Sequence, residues 1–94
     1  MSETLVDAAR ELATRVLEDN PERLAHSAAV ADRARELAAT VPQSAAETLV
    51  AAAWLHDIGY SSQLKQTGFH PLDAAKYLRR EGWPEPVCTL VAHH

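Results

Sequence analysis

Residues 49–59 read LVAAAWLHDIG, an apolar run of seven residues followed by a histidine, an aspartate, an isoleucine and a glycine. Seven apolar residues are too few to span a bilayer, but they suit a helix in the core of a small protein. Just before this stretch, Ser44 and Glu47 have the spacing of a capping box, in which each side chain satisfies a backbone N–H group at a helix start. We therefore predict a buried helix that begins at Ser44 and ends near Gly59.

Two helices are predicted before this stretch. The first begins at the capping residue Thr4 and runs to about residue 18, with apolar residues at helical spacing. Asn20 and Pro21 separate it from the second helix, because Asn caps helices well and Pro is tolerated at the first helical position. The second helix runs to about Thr40. The residues predicted to share its core-facing side are His26, Val30, Ala34, Leu37 and Val41.

Two shorter helices are predicted after the stretch. Residues 59–69 carry no apolar period and indicate a surface loop. A fourth helix begins at His70-Pro71 and ends at Gly82 in a left-handed conformation, and a fifth spans residues 86–94. The predicted inward positions are Leu72, Ala75 and Leu78 or Arg79 in the fourth helix, and Val87, Leu90, Val91 and His94 in the fifth. Since no alternating strand pattern is present, we predict an all-α fold, a compact bundle of about five helices.

The composition indicates one small globular domain over residues 1–94. Hydrophobic residues make up 47% and charged residues 23%, which argues against disorder. The net charge of -4 predicts no non-specific attraction to nucleic acid or to an anionic membrane. The single Cys88 cannot form an internal disulfide, and the acidic start lacks the basic region of a secretory signal, so we expect a cytoplasmic protein.

Histidines are the unusual feature of this composition, since the five of them equal all Phe, Trp and Tyr residues together. His56 and Asp57 are adjacent at the end of a strongly apolar helix, where an unpaired titratable pair costs several kcal/mol. A bound cation compensates for that cost, and imidazole and carboxylate together suit Zn, Fe, Mn and similar ions. With His26 from the second helix, the pair forms a facial ligand set that leaves positions open for water or substrate.

Three further histidines offer ligands for a second ion, which we expect to be held by His70 with His93 or His94. His70 begins the fourth helix, and His93 and His94 end the fifth. Asp73 would then orient an imidazole by accepting a hydrogen bond from the ring nitrogen that does not bind the metal. Each residue also has an ordinary interpretation: His70 as a helix cap, Asp73 as a first-turn acid, the final pair as the remnant of a purification tag, and His26 as a core histidine bonded to a backbone carbonyl. The joint pattern favours metal binding.

The order of these residues resembles that of the HD superfamily of metal-dependent phosphohydrolases, over about residues 22–94. The residues that carry the resemblance are His26, His56, Asp57, Ile58, Gly59, His70, His93 and His94. The resemblance implies that His26, His56 and Asp57 bind a first metal ion, with Asp57 able to bridge to a second ion held by the later histidines. It also implies that the cofactor is one or two divalent ions, from among Mn, Fe, Zn, Ni, Co and Mg.

The chain departs from the family pattern at two places. The family's first site includes an aspartate that follows the last histidines on another helix, whereas the printed chain ends at His94. This implies a domain truncated at its C-terminal end, or a site completed by water, by a neighbouring molecule or not at all. Members often carry Lys three residues after the aspartate of the doublet, near the substrate phosphate, and here Tyr60 takes that place. Lys65 in the same loop is the predicted substitute, ahead of Arg79 and Arg80.

The activity that the resemblance implies is hydrolysis of a nucleotide or another small phosphate ester, with Asp57 and Lys65 as candidate catalytic residues. A divalent ion would lower the pKa of its bound water to about 7 and so supply hydroxide at neutral pH. One alternative is a non-catalytic HD-fold binding or regulatory module with an incomplete metal site. Another is an oxygenase, since some proteins that look like this family use a di-iron pair.

Overall fold

The computed structural model describes residues 4–61, 64 and 70–93, and within these residues the chain folds into α-helices without any strand. The helices are α1 (Leu5–Val16), α2 (Pro21–Ala38), α3 (Gln43–Leu55), α4 (His70–Arg80) and α5 (Glu85–Ala92), with a 3₁₀ turn at Ile58–Tyr60. The predicted all-α fold with five helices is therefore confirmed. No helix in the described ranges is long and apolar enough to cross a membrane.

The helix starts follow the predicted caps in α1 and α2 but not in α3. The side-chain oxygens of Thr4 and Asn20 accept backbone N–H groups of the first turn at 3.0 and 3.4 Å. The capping box predicted at Ser44 is wrong, because α3 begins one residue earlier, at Gln43, and has no side-chain cap. Pro42 precedes it with φ -57° and ψ 151°, and this extended ψ places Pro42 outside the helix.

The middle of the bundle is α3, which packs against α1, α2 and α5. Every residue from Val50 to Leu55 is buried, as expected for a helix that is apolar all round. The helix ends at Leu55, four residues before the predicted end, and the chain continues into the 3₁₀ turn. His56 and Asp57 therefore stand where the most buried helix of the bundle gives way to a turn, which α4 packs against.

Parts of three predicted core faces are exposed, so those predictions are wrong. The large apolar residues involved are Leu37, Val41, Leu72 and Leu90, of which Leu37 is 63% exposed and Leu90 45%. In α4 the buried residues are Asp73, Ala74, Ala75 and Leu78, so the inward positions of Ala75 and Leu78 are confirmed and that of Leu72 is wrong. The ends of the α2 and α5 faces have the predicted helical period, but within the described part of the chain nothing packs over them.

Gly82 ends α4 as predicted. Its φ of 85° is left-handed, a conformation that glycine adopts without the steric cost borne by other residues. The chain then turns into α5, which packs against both α4 and α3. This connection brings the last helix back onto the central one.

Candidate metal centre

The structure brings together His26 of α2 with His56 and Asp57, which follow α3. One ligand atom from each residue lies within 4.8 Å of the other two. Asp57 Oδ2 is 3.3 Å from His56 Nε2 and 3.9 Å from His26 Nε2. Two imidazole nitrogens and one carboxylate oxygen that converge in this way form a donor set that divalent transition metals accept. We call these three residues the metal group.

The end of α3 fixes the orientation of the His56 ring. Its Nδ1 lies 2.6 Å from the carbonyl oxygen of Ala53, one of the last-turn carbonyls that have no partner within the helix. A carbonyl oxygen only accepts, so Nδ1 carries a proton and donates it. In the neutral ring, the lone pair therefore lies on Nε2, the nitrogen that faces Asp57.

The lone pair of His56 Nε2 and the carboxylate of Asp57 face each other at 3.3 Å. Two electron-pair donors at this distance repel each other unless a cation stands between them. In the metal-free protein a proton on Nε2 takes that place at pH values below the raised pKa of His56. A divalent ion would replace the proton, as is general for imidazole ligands. The donor set and this arrangement therefore fit a metal ion.

The metal group is buried on one side and open on the other. The side chains of His56 and Asp57 are buried, whereas that of His26 is 53% exposed. The prediction that His26 points toward the core is therefore wrong. The buried residues of α2 are Ser27, Ala31 and Ala34, so the buried face begins one residue after His26, along the short side chains that let helices approach closely. His26 stands at the edge of this contact, where solvent and a small ligand reach it.

Arg23 belongs to the site and was missed by the sequence analysis. Its Nη1 donates to Asp57 Oδ2 at 3.5 Å, and its guanidinium lies 4.0 Å from the centre of the Tyr60 ring. The side chain is 40% exposed. The available signal was its spacing, since Arg23 precedes His26 by three residues and so lies on the same side of α2. It supplies a positive charge beside the metal group.

Tyr60 and His70 form a second pair of rings beside this arginine. Their ring centres are 3.7 Å apart with the planes at 23°, and His70 Nδ1 donates to the carbonyl oxygen of Gly59 at 3.2 Å. His70 is thus bound to the turn that follows the metal group, and it is not one of the three residues that form that group. Tyr60, at the position where a lysine was expected, contacts both Arg23 and His70.

The remaining predicted ligands give no second group among the residues that the structure describes. His93 is exposed at the C-cap of α5, and Asp73 is buried in the first turn of α4. Lys65 and His94 lie outside the described residues. A second ion and a phosphate-binding role for Lys65 therefore stay predictions.

The charges of the site shift the pKa values of His56 and Asp57 in opposite directions. Burial lowers the pKa of His56, but hydrogen bonds to Asp57 and to the Ala53 carbonyl, with the charge of Asp57, outweigh it and leave that pKa raised. Burial raises the pKa of Asp57, but the hydrogen bond with His56 and the charges of His56, Arg23 and His26 outweigh it and leave that pKa lowered. In the metal-free protein the two residues therefore form an ion pair at pH values between the lowered pKa of Asp57 and the raised pKa of His56.

This ion pair predicts a pH dependence for the stability of the metal-free protein. The pKa of His56 lies above its ordinary 6.5, so its contribution is complete below pH 6.5 and is lost as the pH rises through the raised pKa. The pKa of Asp57 lies below its ordinary 3.8, so its contribution is present above pH 3.8 and is lost as the pH falls through the lowered pKa. In urea unfolding with EDTA, the stability lost in Asp57→Asn should be greatest between these two values. A loss that is the same from pH 3 to pH 9 would contradict the ion pair.

Comparison with known proteins gives one match. The model of the HD domain family matches residues 23–94, a segment that begins at Arg23 and contains the whole metal group. The comparisons with curated proteins and with solved structures gave no match. The matched segment covers most of the chain and confirms the resemblance seen in the sequence. The chain therefore belongs to the HD domain family.

Proposed function

We propose that this protein is a metal-dependent phosphohydrolase that cleaves a small phosphate ester. The observation that carries the proposal is the metal group itself, three donors within 4.8 Å of one another with His26 on an open side. Membership of the HD domain family supports the same reaction class. The positive charge of Arg23 next to the group supports an anionic substrate.

His26, His56 and Asp57 would hold a divalent ion and leave coordination positions for other ligands. When bound, such an ion lowers the pKa of water and neutralises charge on phosphoryl oxygens. The residues around the ion would orient its ligands and supply negative charge. The Ala53 carbonyl keeps Nε2 of His56 toward the group, and Asp57 supplies the negative charge that attracts a cation.

Arg23 would bind the phosphoryl oxygens of the substrate. A guanidinium presents several N–H donors in a plane that suits phosphate. Its contact with Asp57, at 3.5 Å, is longer than the usual 2.7–2.9 Å of a charge-assisted hydrogen bond, and the side chain is partly exposed, so donors stay available. The ring of Tyr60 supports the guanidinium through a cation–π contact. Tyr60 would thus hold an arginine in the role that the resemblance gave to a lysine, a role for which Lys65 remains a further candidate.

The proposed activity is tested by assaying the purified protein with Mn²⁺, Fe²⁺, Co²⁺, Ni²⁺, Zn²⁺ and Mg²⁺ in turn, on p-nitrophenyl phosphate and bis(p-nitrophenyl) phosphate. We expect turnover that needs a metal, stops with EDTA and is lost in His56→Ala. Turnover that EDTA leaves intact, or none with any ion, would refute the proposal.

The role of Arg23 makes a separate prediction. Arg23→Met keeps an unbranched apolar stem but removes the guanidinium with its charge and donors, so kcat/KM should fall by about 10- to 100-fold, the range for hydrogen bonds to charged groups. Metal affinity should not fall, because Asp57 loses a competing cation. The control is Arg35→Met, since Arg35 lies on the same helix and pairs with an exposed Asp32 at 2.9 Å. Equal kcat/KM for Arg23→Met and the wild type would exclude a phosphate contact.

One observation favours the alternative of a non-catalytic HD-fold module. Arg23 already contacts Asp57 without any metal ion, so this carboxylate has a positive neighbour that partly meets its need for a cation. A module of this kind would bind metal weakly and turn over no ester with any of the ions above. Metal-dependent turnover that is lost in His56→Ala would exclude it.

A further inference from the structure

A pocket of about 270 Å³ lies next to the metal group and is open to solvent. His56 lines the pocket and also belongs to the metal group, so the two sites are neighbours that share this side chain. The wall is almost entirely carbon. Its apolar residues include Val30, Ala34 and Leu37 from α2, Ala52 and Ala53 from α3, and Leu90 from α5.

This pocket accounts for the part of the α2 apolar face that stays exposed. His26, Val30, Ala34 and Leu37 follow each other along α2 at steps of three or four, so the wall of the pocket extends from a metal ligand along the same helix. Two of the lining residues, Leu37 and Leu90, are 63% and 45% exposed. The small side chains of Ala34, Ala52 and Ala53 leave room for the pocket between these two leucines.

The wall selects for one kind of organic group. Apart from the His56 ring, Arg33 supplies the only charged side chain among the described lining residues, and it is exposed. A nucleobase or sugar placed here would leave most of its polar atoms without a partner, which a binding site penalises strongly. An apolar group loses nothing by leaving water. A cavity of about 150 Å³ accommodates benzene, so the larger volume here suits one or two rings or a short hydrocarbon chain.

We propose that the substrate is a phosphate ester of an apolar alcohol or phenol, with the organic group in this pocket and the phosphoryl group at the metal group. This inference rests on the proposed phosphohydrolase function. The reaction is hydrolysis: water adds to phosphorus, the ester P–O bond breaks, and the apolar alcohol leaves with a proton. Arg23 would bind the phosphoryl oxygens, while the pocket would determine which ester fits.

Binding is tested first, without metal or turnover. 1-Naphthol is titrated in EDTA into protein labelled on its alanine and leucine methyl groups, and the methyl signals are followed by NMR. We expect saturable shifts at Ala34, Ala52 and Leu90, and no such shifts with adenosine. Leu37→Ser should weaken the binding, because Leu37 lines the pocket, and the substitution leaves the core intact because this side chain is exposed. The matched control is Leu72→Ser, an exposed leucine that does not line this pocket. Shifts confined to other parts of the surface would overturn the proposal.

Turnover is tested with two esters that differ in their organic part, 1-naphthyl phosphate and acetyl phosphate. In Leu37→Ser, which removes an exposed part of the pocket wall and leaves the core intact, the ratio of kcat/KM for the first to that for the second should fall by about tenfold or more. Metal-dependent hydrolysis with an unchanged ratio would overturn the substrate class and leave the proposed function standing. Naphthol binding in the pocket without hydrolysis of any ester would overturn the proposed function, and the substrate class with it.

Discussion

In a titration with Zn²⁺ or Mn²⁺, Asp57→Asn should lower metal affinity by at least about 100-fold. Substitutions that only support a ligand already cost about 10- to 100-fold, and Asp57 supplies the only negative charge of the metal group. The amide has the same size as the carboxylate, so the loss would report charge rather than packing. Competition with a chelating dye measures the affinity.

The control for this prediction is Asp32→Asn. Asp32 is an exposed acid on α2 that pairs with Arg35 at 2.9 Å and lies outside the metal group. Its substitution should leave metal affinity unchanged. Full metal occupancy in the Asp57→Asn protein, measured by elemental analysis, would show that the ion binds elsewhere.

Gly59→Ala should be the most destabilising single-methyl change near the site. A Cβ at Gly59 would overlap the backbone carbonyl of His70, where a rigid main-chain atom cannot move aside. We expect a loss of about 3 kcal/mol in the free energy of unfolding, at the upper end for overpacking. The same change should separate the 3₁₀ turn from α4, since the two pack together at this point. Urea unfolding of the metal-free protein measures the loss.

Gly82→Ala provides the matched control, since it adds the same methyl group for a different reason. The φ of Gly82 is 85°, but a Cβ there meets no atom within 4 Å. Its cost should be about 1 kcal/mol, from the left-handed backbone alone. If Gly82→Ala is the more destabilising of the two, the close approach of Gly59 to His70 is not the constraint described here.

The helices were predictable because their signals are local. Capping at Thr4 and Asn20 depends on residues within one turn, and the left-handed Gly82 ends α4 as glycine commonly does. The buried faces were less predictable. Ser27 is buried where His26 was expected, and in α4 Asp73 is buried where Leu72 was expected. A broad apolar stripe does not decide which of its edges faces a neighbour, since that depends on how closely the partner helix approaches.

The metal group was predictable from its chemistry, since His56 and Asp57 are costly at the end of an apolar helix unless they are compensated. The segment that the family model matches contains the same residues. Arg23 was not predicted, because its contacts with Asp57 and Tyr60 depend on the path of the chain after α3. The exposed Leu37 was likewise assigned to the core. The helical spacing of apolar residues does not by itself distinguish a helix face in the core from one that forms the wall of a pocket.

The most direct test of the account is a crystal structure of the protein grown with Mn²⁺ or Zn²⁺, with anomalous diffraction recorded at the edge of that metal. We predict an anomalous peak at the metal group, about 2.0–2.2 Å from Nε2 of His26, Nε2 of His56 and a carboxylate oxygen of Asp57. A peak that contacts none of these three residues, or no peak in crystals of metal-saturated protein, would contradict the central claim.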